Sequence, residues 1–263
     1  MFNNVKAKKR LTQFIVAFIV ICMSVTGSFL LLKDTVEEAT AATVNVDVNS
    51  PDTWKNAVNG RGNGDIVNIR LTGDVNASAL LQAIPAGVTV NLNMNTKSIY
   101  WDTVATGTKD IMDENYADGI RSDFWGLITN NGTLNITGTG TIRMKKVNYN
   151  YTNNGQRDQF ATRSCAIVNN GTMTIGSGIT VENNTAMCAN DTSGSYRYTD
   201  LFVYGCAIYN NSGTLTTSGK IISSTMGGGT AVASNNSYHY AFSYGIYGGK
   251  VTTKGGSVSS EAK

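Results

Sequence analysis

The sequence places its most closely spaced carboxylates in one short segment. They are Asp110, Asp113, Glu114 and Asp118. Carboxylate oxygens at this density are ligands that Ca²⁺ prefers, so the segment is a candidate calcium site. The spacing departs from an EF-hand loop, because Ala117 stands where a ligand is required, and Lys109 and Arg121 could neutralise the acids instead. A calcium site and a solvated acidic loop are the two interpretations of this segment.

Residues for acid–base or nucleophilic catalysis are sparse. His239 is the only histidine, and no Ser and Asp partners accompany it in a triad pattern. Between residues 124 and 263 the chain has only five acids: Asp158, Glu182, Asp191, Asp200 and Glu261. A glycoside hydrolase needs two closely set carboxylates, and these five do not recur at equivalent positions of the repeat described below. No catalytic residue is predicted, and His239 is expected at the surface.

Tyrosine is concentrated in polar segments that separate more regular stretches. The recurring pairs are Tyr149 and Tyr151, Tyr196 and Tyr198, and Tyr238 and Tyr240. Exposed tyrosine combines an apolar ring with a polar tip, which suits contacts to glycans or proteins. Inserts that leave a repeating fold at the same point stack along one flank and often build its binding face. The alternative is that they are decorative loops, or hairpins whose tyrosines pack on each other.

Cysteines Cys165, Cys188 and Cys206 follow the N-terminal region. Cys165 and Cys206 occupy the same place in consecutive repeats, and neighbouring strands lie about 4.8 Å apart, within reach of a disulfide. A stack of small buried thiols is the alternative interpretation. With one histidine and no C-x-x-C motif, these residues predict no metal site. Calcium is therefore the one cofactor that the sequence leaves open.

A similar stretch of sequence occurs four times in the chain, at about 124–144, 165–181, 206–223 and 245–259. The anchoring isoleucines Ile128, Ile167, Ile208 and Ile246 lie 39, 41 and 38 residues apart. A period of about 20–50 residues is typical of solenoids, propellers and repeat arrays. Within each copy apolar and polar residues alternate between turn residues, which predicts β-strands. We expect the isoleucines to form an internal ladder.

An Asn-Asn turn recurs at one position of the first three copies. Its first residues are Asn130, Asn169 and Asn210. Asn tolerates left-handed backbone, and each stacked amide can donate to one neighbour and accept from the other, so a structural amide ladder is predicted. Thr133, Thr172 and Thr214 recur at an outward position, as regularly spaced threonines do in ice-binding solenoids. That row is short and ends at Lys250, so it is a minor alternative.

Residues 1–41 have the features of an export signal. Basic residues precede an apolar run of 22 residues from Leu11 to Leu32, and Ala39-Thr40-Ala41 fits a cleavage site. An uncleaved membrane anchor is the alternative, because that run could span a bilayer. Without this leader, 16 basic and 15 acidic residues leave a net charge of +1. We expect a secreted or cell-surface protein that contacts membrane only through its leader and binds no nucleic acid.

The chain after the leader begins with a more specific pattern. Ser50-Pro51 is a typical helix start, and Trp54, Ala57 and Val58 share one side of the predicted helix. The stretches that follow are WKNAV at 54–58, DIVNI at 65–69, LTGD at 71–74 and IPAGVTV at 84–90. Together they resemble the N-terminal part of pectate-lyase-like adhesive domains, which occur in exported surface proteins of Gram-positive bacteria. The resemblance covers about 44–260 and implies a right-handed parallel β-helix with a capping helix.

We therefore expect an all-β fold, a right-handed single-stranded parallel β-helix with a short N-terminal capping helix. Residues 42–100 would form the cap and first coils, and 101–263 the repeats with long inserts. A truncated C-terminus is expected, since residues 255–259 read as the middle of a coil. The predicted function is a non-catalytic adhesive or structural module that binds a glycan or a host or cell-wall protein through its inserts. The alternative is a polysaccharide lyase or glycoside hydrolase of the same fold.

Overall fold

The structure is a computed structural model that describes residues 41–105, 113–115, 124–152, 158–191, 199–231 and 239–263. In 103–105, 113–115, 147–152, 158–161, 187–191, 199–201, 228–231 and 239, only the backbone is described. All of these residues belong to one compact unit, 41–263. The predicted leader, apart from Ala41, lies outside the described residues. Within the described ranges, no helix is long and apolar enough to cross a bilayer.

The chain is mostly β-structure, and its longest row of strands forms sheet A. In spatial order sheet A contains β1 (Thr43–Val48), β2 (Ile66–Leu71), β4 (Thr89–Asn93), β8 (Thr133–Thr137), β11 (Thr172–Ile175), β14 (Thr214–Thr217) and β17 (Lys250–Thr253). Every neighbouring pair in this sheet is parallel.

Two further sheets complete the architecture. Sheet B contains, in spatial order, β3 (Val75–Asn76), β5 (Ser98–Ala105), β9 (Gly140–Thr152), β12 (Ile179–Asp191), β15 (Lys220–Ala231) and β18 (Ser257–Ala262). Sheet C contains β6 (Asp113–Asn115) and β7 (Trp125–Asn130), which both pair with β10 (Asp158–Asn169), then β13 (Thr199–Tyr209) and β16 (His239–Tyr247). All described pairs are parallel except β6 with β10.

The strands visit the three sheets in a fixed rotation. From β8 onward, consecutive strands lie in sheets A, B and C in turn, and the rotation continues to β18. Each pass of the chain therefore adds one strand to each sheet, directly beside the strand of the pass before. The expected all-β class with parallel sheets is confirmed.

Apolar side chains from all three sheets meet in one core. Ile167 pairs in register with Ile128 and with Ile208, and Ile208 pairs with Ile246. The first three of these isoleucines are completely buried, and Ile246 is partly buried against the same core. Full burial of one such side chain stabilises the fold by about 1.5–3 kcal/mol, so the rows of identical or similar residues carry much of the stability.

One helix, α1 (Pro51–Val58), lies beside the first strands of sheet A. It begins at Pro51, and Ser50 caps it. The Ser50 hydroxyl accepts a hydrogen bond from the Thr53 N–H at 3.2 Å, and Thr53 Oγ1 accepts one from the Ser50 N–H at 3.0 Å. Trp54 is completely buried in the core, and its Nε1 donates to the Gln82 carbonyl at 2.9 Å.

The Asn-Asn turns use a geometry different from the one expected. None of their asparagines has a positive φ, and in the described ranges the non-glycine residues that do are Asn95 and Thr96. Instead, the Asn130 side-chain oxygen accepts a hydrogen bond from the Gly132 N–H at 3.2 Å, which closes the turn locally. Successive turns stack so closely that a Cβ on Gly171 would collide with the Gly132 carbonyl oxygen.

Candidate functional site

Tyr240 is the one predicted binding tyrosine whose side chain the structure describes. Tyr196, Tyr198 and Tyr238 lie outside the described residues, and only the backbone of Tyr149 and Tyr151, in β9, is described. Tyr240 is 42% exposed and lies on β16 of sheet C. Its surroundings decide what this part of the molecule can bind.

Tyr240 belongs to a block of four stacked rings. In the parallel pair β13–β16, Phe202 is in register with Tyr240 and Tyr204 with Phe242. The ring centroids of Phe202 and Tyr240 are 5.0 Å apart with planes inclined by 15°, and those of Tyr204 and Phe242 are 4.7 Å apart at 8°. Tyr240 and Phe242, on the same strand, are 6.4 Å apart at 18°. Parallel strands in register place like side chains above each other, which produces this stacking.

A second aromatic group continues the block along the same side of sheet C. Tyr209 and Tyr247 are in register, and their stacked ring centroids are 5.8 Å apart. The Phe124 ring centroid lies 5.0 Å from that of Tyr209, and the Tyr244 centroid lies 4.9 Å from that of Tyr247. We call the whole set the aromatic face: Phe124, Phe202, Tyr204, Tyr209, Tyr240, Phe242, Tyr244 and Tyr247. Tyr209, Phe124 and Tyr244 pack in a cluster separate from the core that holds the isoleucines.

Exposure is concentrated on the β16 side of the aromatic face. Tyr204 and Tyr209 of β13 are buried, whereas Tyr240 and Tyr247 are exposed and Phe242 and Tyr244 are partly exposed. The buried Arg163 guanidinium lies 5.3 Å from the Tyr204 ring centroid and extends the stack on its other side. A ligand would therefore meet the rings of β16, supported from below by those of β13.

The two cysteines lie beneath the aromatic face. Cys165 and Cys206 are in register on β10 and β13, both are completely buried, and both are free thiols in the structure. Burial raises the pKa of the Cys206 thiol well above its ordinary value, and the neighbouring Cys165 adds to this effect. Of Cys188 only the backbone, in β12, is described. The two thiols are therefore stacked in register at this position.

The turn asparagines are buried and bonded to one another. Asn130 Nδ2 donates to Asn169 Oδ1 at 2.7 Å, and Asn169 Nδ2 donates to Asn210 Oδ1 at 2.7 Å. A second, outer row runs beside it, in which Asn170 Nδ2 donates to Asn131 Oδ1 at 2.8 Å and Asn211 Nδ2 to Asn170 Oδ1 at 3.2 Å. These contacts give the inner row a structural role.

A buried polar cluster lies between sheets B and C, and sequence analysis missed it. Its members are Ser164, Asn183, Thr185, Ser223, Thr225 and Ser243. Asn183 Nδ2 donates to Thr185 Oγ1 at 2.9 Å, and the Ser164 and Thr185 hydroxyls are bonded. Thr225 Oγ1 is buried without a hydrogen-bond partner. The sequence feature that could have revealed the cluster is the alternation along β12 and β15, which puts the polar residues of these two strands at inward positions.

The side chains of the candidate calcium ligands lie outside the described part of the chain. Asp110 and Asp118 lie outside the described residues, and of Asp113 and Glu114 only the backbone, in β6, is described. Among the described side chains, no three His, Cys, Asp or Glu residues come together as a metal site.

The outward threonine row is longer than the sequence suggested. Thr89 pairs in register with Thr133, so the row runs through Thr89, Thr133, Thr172 and Thr214 before reaching Lys250.

Comparisons of this chain with protein-family models, with curated proteins and with solved structures found no match.

Proposed function

We propose that this chain is an exported, non-catalytic surface module that binds a glycan through the aromatic face of sheet C. We further propose that its three sheets are wound as a right-handed parallel β-helix, related to the pectate-lyase-like adhesive domains that the sequence resembles. Two observations support the β-helix: the rotation of strands through sheets A, B and C from β8 to β18, and the residue-by-residue register of β10 with β13 and of β12 with β15.

The observation that carries the function is the stacked block around Tyr240. Sugar rings present apolar C–H faces edged by hydroxyls, and they pack on aromatic rings much as other apolar faces do. The rings of Tyr240 and Phe242 stack nearly parallel to those of Phe202 and Tyr204 beneath them, so little side-chain freedom is lost when a ligand binds. The tyrosine hydroxyls can exchange hydrogen bonds with sugar hydroxyls at the ring edges.

Location and charge agree with this proposal. The apolar run and cleavage pattern of residues 1–41 favour export, where glycans of walls and host surfaces are accessible. The chain after the leader is nearly neutral at +1, so a general electrostatic attraction to polyanions is weak. A protein partner would use the same exposed rings and is the alternative that the experiment separates.

The experiment measures retention of the full-length chain on immobilised wall, plant and host glycans and on matrix proteins, with sugar release scored in the same wells. We expect retention on a glycan without depolymerisation. The double change Tyr240→Ser and Phe242→Ser should weaken it about tenfold, because each stacked ring contributes about 0.5–1.5 kcal/mol. Tyr100→Ser is the matched control, since Tyr100 is a part-exposed tyrosine on sheet B, beside Arg143.

Three results would contradict the proposal. Equal retention of the double variant and wild type would remove the aromatic face from the site. Retention on matrix proteins alone would replace the glycan by a protein partner. Release of cleaved sugar would establish a polysaccharide lyase or glycoside hydrolase, and sensitivity of that release to a chelator would direct attention to Asp110, Asp113, Glu114 and Asp118.

A further inference from the structure

A groove of about 630 Å³ crosses the outer side of sheet A. Two rows of polar side chains line it, one made of Asn45, Asn68 and Asn91, the other of Asp47, Arg70, Asn93 and Thr137. Val46 and Ile69 lie between the rows and form the floor. The groove crosses β1, β2, β4 and β8, so its length is about 14 Å, or three steps of about 4.8 Å between strands. Its volume is in the range of about 300–1,000 Å³ that ligand sites occupy.

The first row is a chain of hydrogen-bonded amides. Asn68 Nδ2 donates to Asn45 Oδ1 at 2.9 Å, and Asn91 Nδ2 donates to Asn68 Oδ1 at 2.8 Å. Asn135 continues the row by donating to Asn91 Oδ1 at 2.9 Å. A carboxamide has two N–H donors and two acceptor lone pairs, so each inner amide keeps one of each for a ligand. The bonds along the row fix these groups in orientation before any ligand arrives.

Among the described residues that line the groove, the charged ones are Asp47 and Arg70 of the opposite row, and their charges cancel. Arg70 Nε donates to Asp47 Oδ1 at 3.0 Å, and Arg70 Nη2 donates to Asp47 Oδ2 at 2.8 Å. Arg70 Nη1 takes no part in this pair and can donate to a hydroxyl. All other lining side chains are neutral, so the groove offers a polyanion no net attraction.

We propose that this groove binds a neutral, linear polysaccharide that runs across the strands, with about one sugar residue per coil. An extended β-linked glycan presents hydroxyl groups on both edges at every residue, and its rise per sugar is close to the spacing between strands. The amide row would bond one edge, and Arg70, Asn93 and Thr137 the other. The described residues that line the groove include no aromatic side chain, so the recognition proposed here is by hydrogen bonds. The inference goes beyond the proposed function, because the groove shares no residue with the aromatic face.

The test titrates the full-length chain, by calorimetry, with three neutral β-1,4-linked hexasaccharides, of glucose, mannose and N-acetylglucosamine, and with hexagalacturonate as the anionic probe. We expect at least one neutral probe to bind more tightly than the anionic one. The double change Asn68→Leu and Asn91→Leu should weaken that binding at least about tenfold, since at least two hydrogen bonds to the sugar are lost. Asn131→Leu with Asn170→Leu is the control, because it disrupts a solvent-accessible amide row outside the groove.

A second variant keeps the test decisive if loss of the amide row unfolds the chain. Asp47→Ala with Arg70→Ala removes an exposed ion pair, which contributes little to stability, yet it deletes the Arg70 donors. It should retain the far-UV circular dichroism of the wild type and lose neutral-glycan binding about fivefold. The groove proposal is overturned if no neutral probe binds, if hexagalacturonate binds more tightly, or if the folded groove variants bind as the wild type does. Loss of the same binding in the Tyr240→Ser/Phe242→Ser variant would also overturn it, by assigning the glycan to sheet C.

Discussion

The side chain of Asn169 joins its two counterparts in neighbouring passes of the chain: its oxygen accepts from Asn130 and its nitrogen donates to Asn210, both at 2.7 Å. All three amides are completely buried. Each is thus satisfied by its neighbours rather than by water, and removal of the middle one leaves a donor and an acceptor without partners.

Asn169→Ala should therefore lower the free energy of unfolding by about 2–4 kcal/mol, because a buried group that loses its partner costs about 1–3 kcal/mol. Urea unfolding followed by circular dichroism measures this loss. Asn170→Ala is the control, since Asn170 belongs to the outer row and water can replace its partners. Equal losses in the two variants would mean that burial of the inner row has no energetic role.

Ile208→Asp should prevent folding. Ile208 is completely buried between Ile167 and Ile246, and an ionised carboxylate there has neither water nor a counter-ion. The control is Thr174→Asp, on the exposed side of sheet A, which should melt within a few degrees of the wild type. A cooperative melt of Ile208→Asp at the wild-type temperature would show that the internal register is wrong.

Thr225→Val should be neutral or stabilising by up to about 1 kcal/mol. The buried Thr225 hydroxyl has no hydrogen-bond partner, so the isosteric methyl group removes a desolvated polar atom at no loss of bonding. Thr185→Val is the contrasting change, because Thr185 Oγ1 accepts from Asn183 Nδ2 and is bonded to Ser164. It should destabilise by about 1–3 kcal/mol. A destabilised Thr225→Val variant would indicate that an ordered water satisfies this hydroxyl.

Stability should fall above about pH 9 in part because of Cys206. Burial raises the pKa of this thiol in the folded state from an ordinary value of 9.0. The unfolded chain therefore loses the proton at a lower pH than the folded chain, and the contribution of this group is present below pH 9 and lost as the pH rises. Urea unfolding at pH 8 and pH 10 should show a smaller decrease for Cys206→Ala than for the wild type. Identical decreases would mean that the thiol titrates alike in both states.

The passes of the chain and their register could be predicted from the sequence. Ile128, Ile167 and Ile208 recur in strands with one apolar side, and a shift of one residue would turn that side to water, so one register remained. The positions of the Asn-Asn turns could be predicted from the same repeat, although their backbone geometry could not be predicted. A side-chain amide that bonds the Gly132 N–H removes the need for a left-handed residue.

The aromatic face and the groove could not be predicted in this way. Phe202 lies against Tyr240 because β13 and β16 pair at a step of 38 residues, whereas Phe242 lies beside Tyr240 two residues along the same strand. The repeat step alone does not indicate that these rings stack. The polar cluster around Asn183 was missed because inward positions were expected to be apolar, whereas here most of the polar groups bond to one another within and across strands. The groove joins residues from four strands, each of which is an ordinary polar position when taken singly.

The spacing of the first strands in sheet A has a consequence for how the chain folds. Asn45, Asn68 and Asn91 are separated by 23 residues at each step, whereas Asn91 and Asn135 are separated by 44. The entropy lost in closing a loop grows with its length, by about 0.6 kcal/mol for each doubling. The N-terminal passes of the chain therefore close most readily, next to α1, and we expect them to form a nucleus beside which later passes are added one at a time. A chain exported with its N-terminus first would present this nucleus before the rest had emerged, so folding could proceed in the direction of secretion.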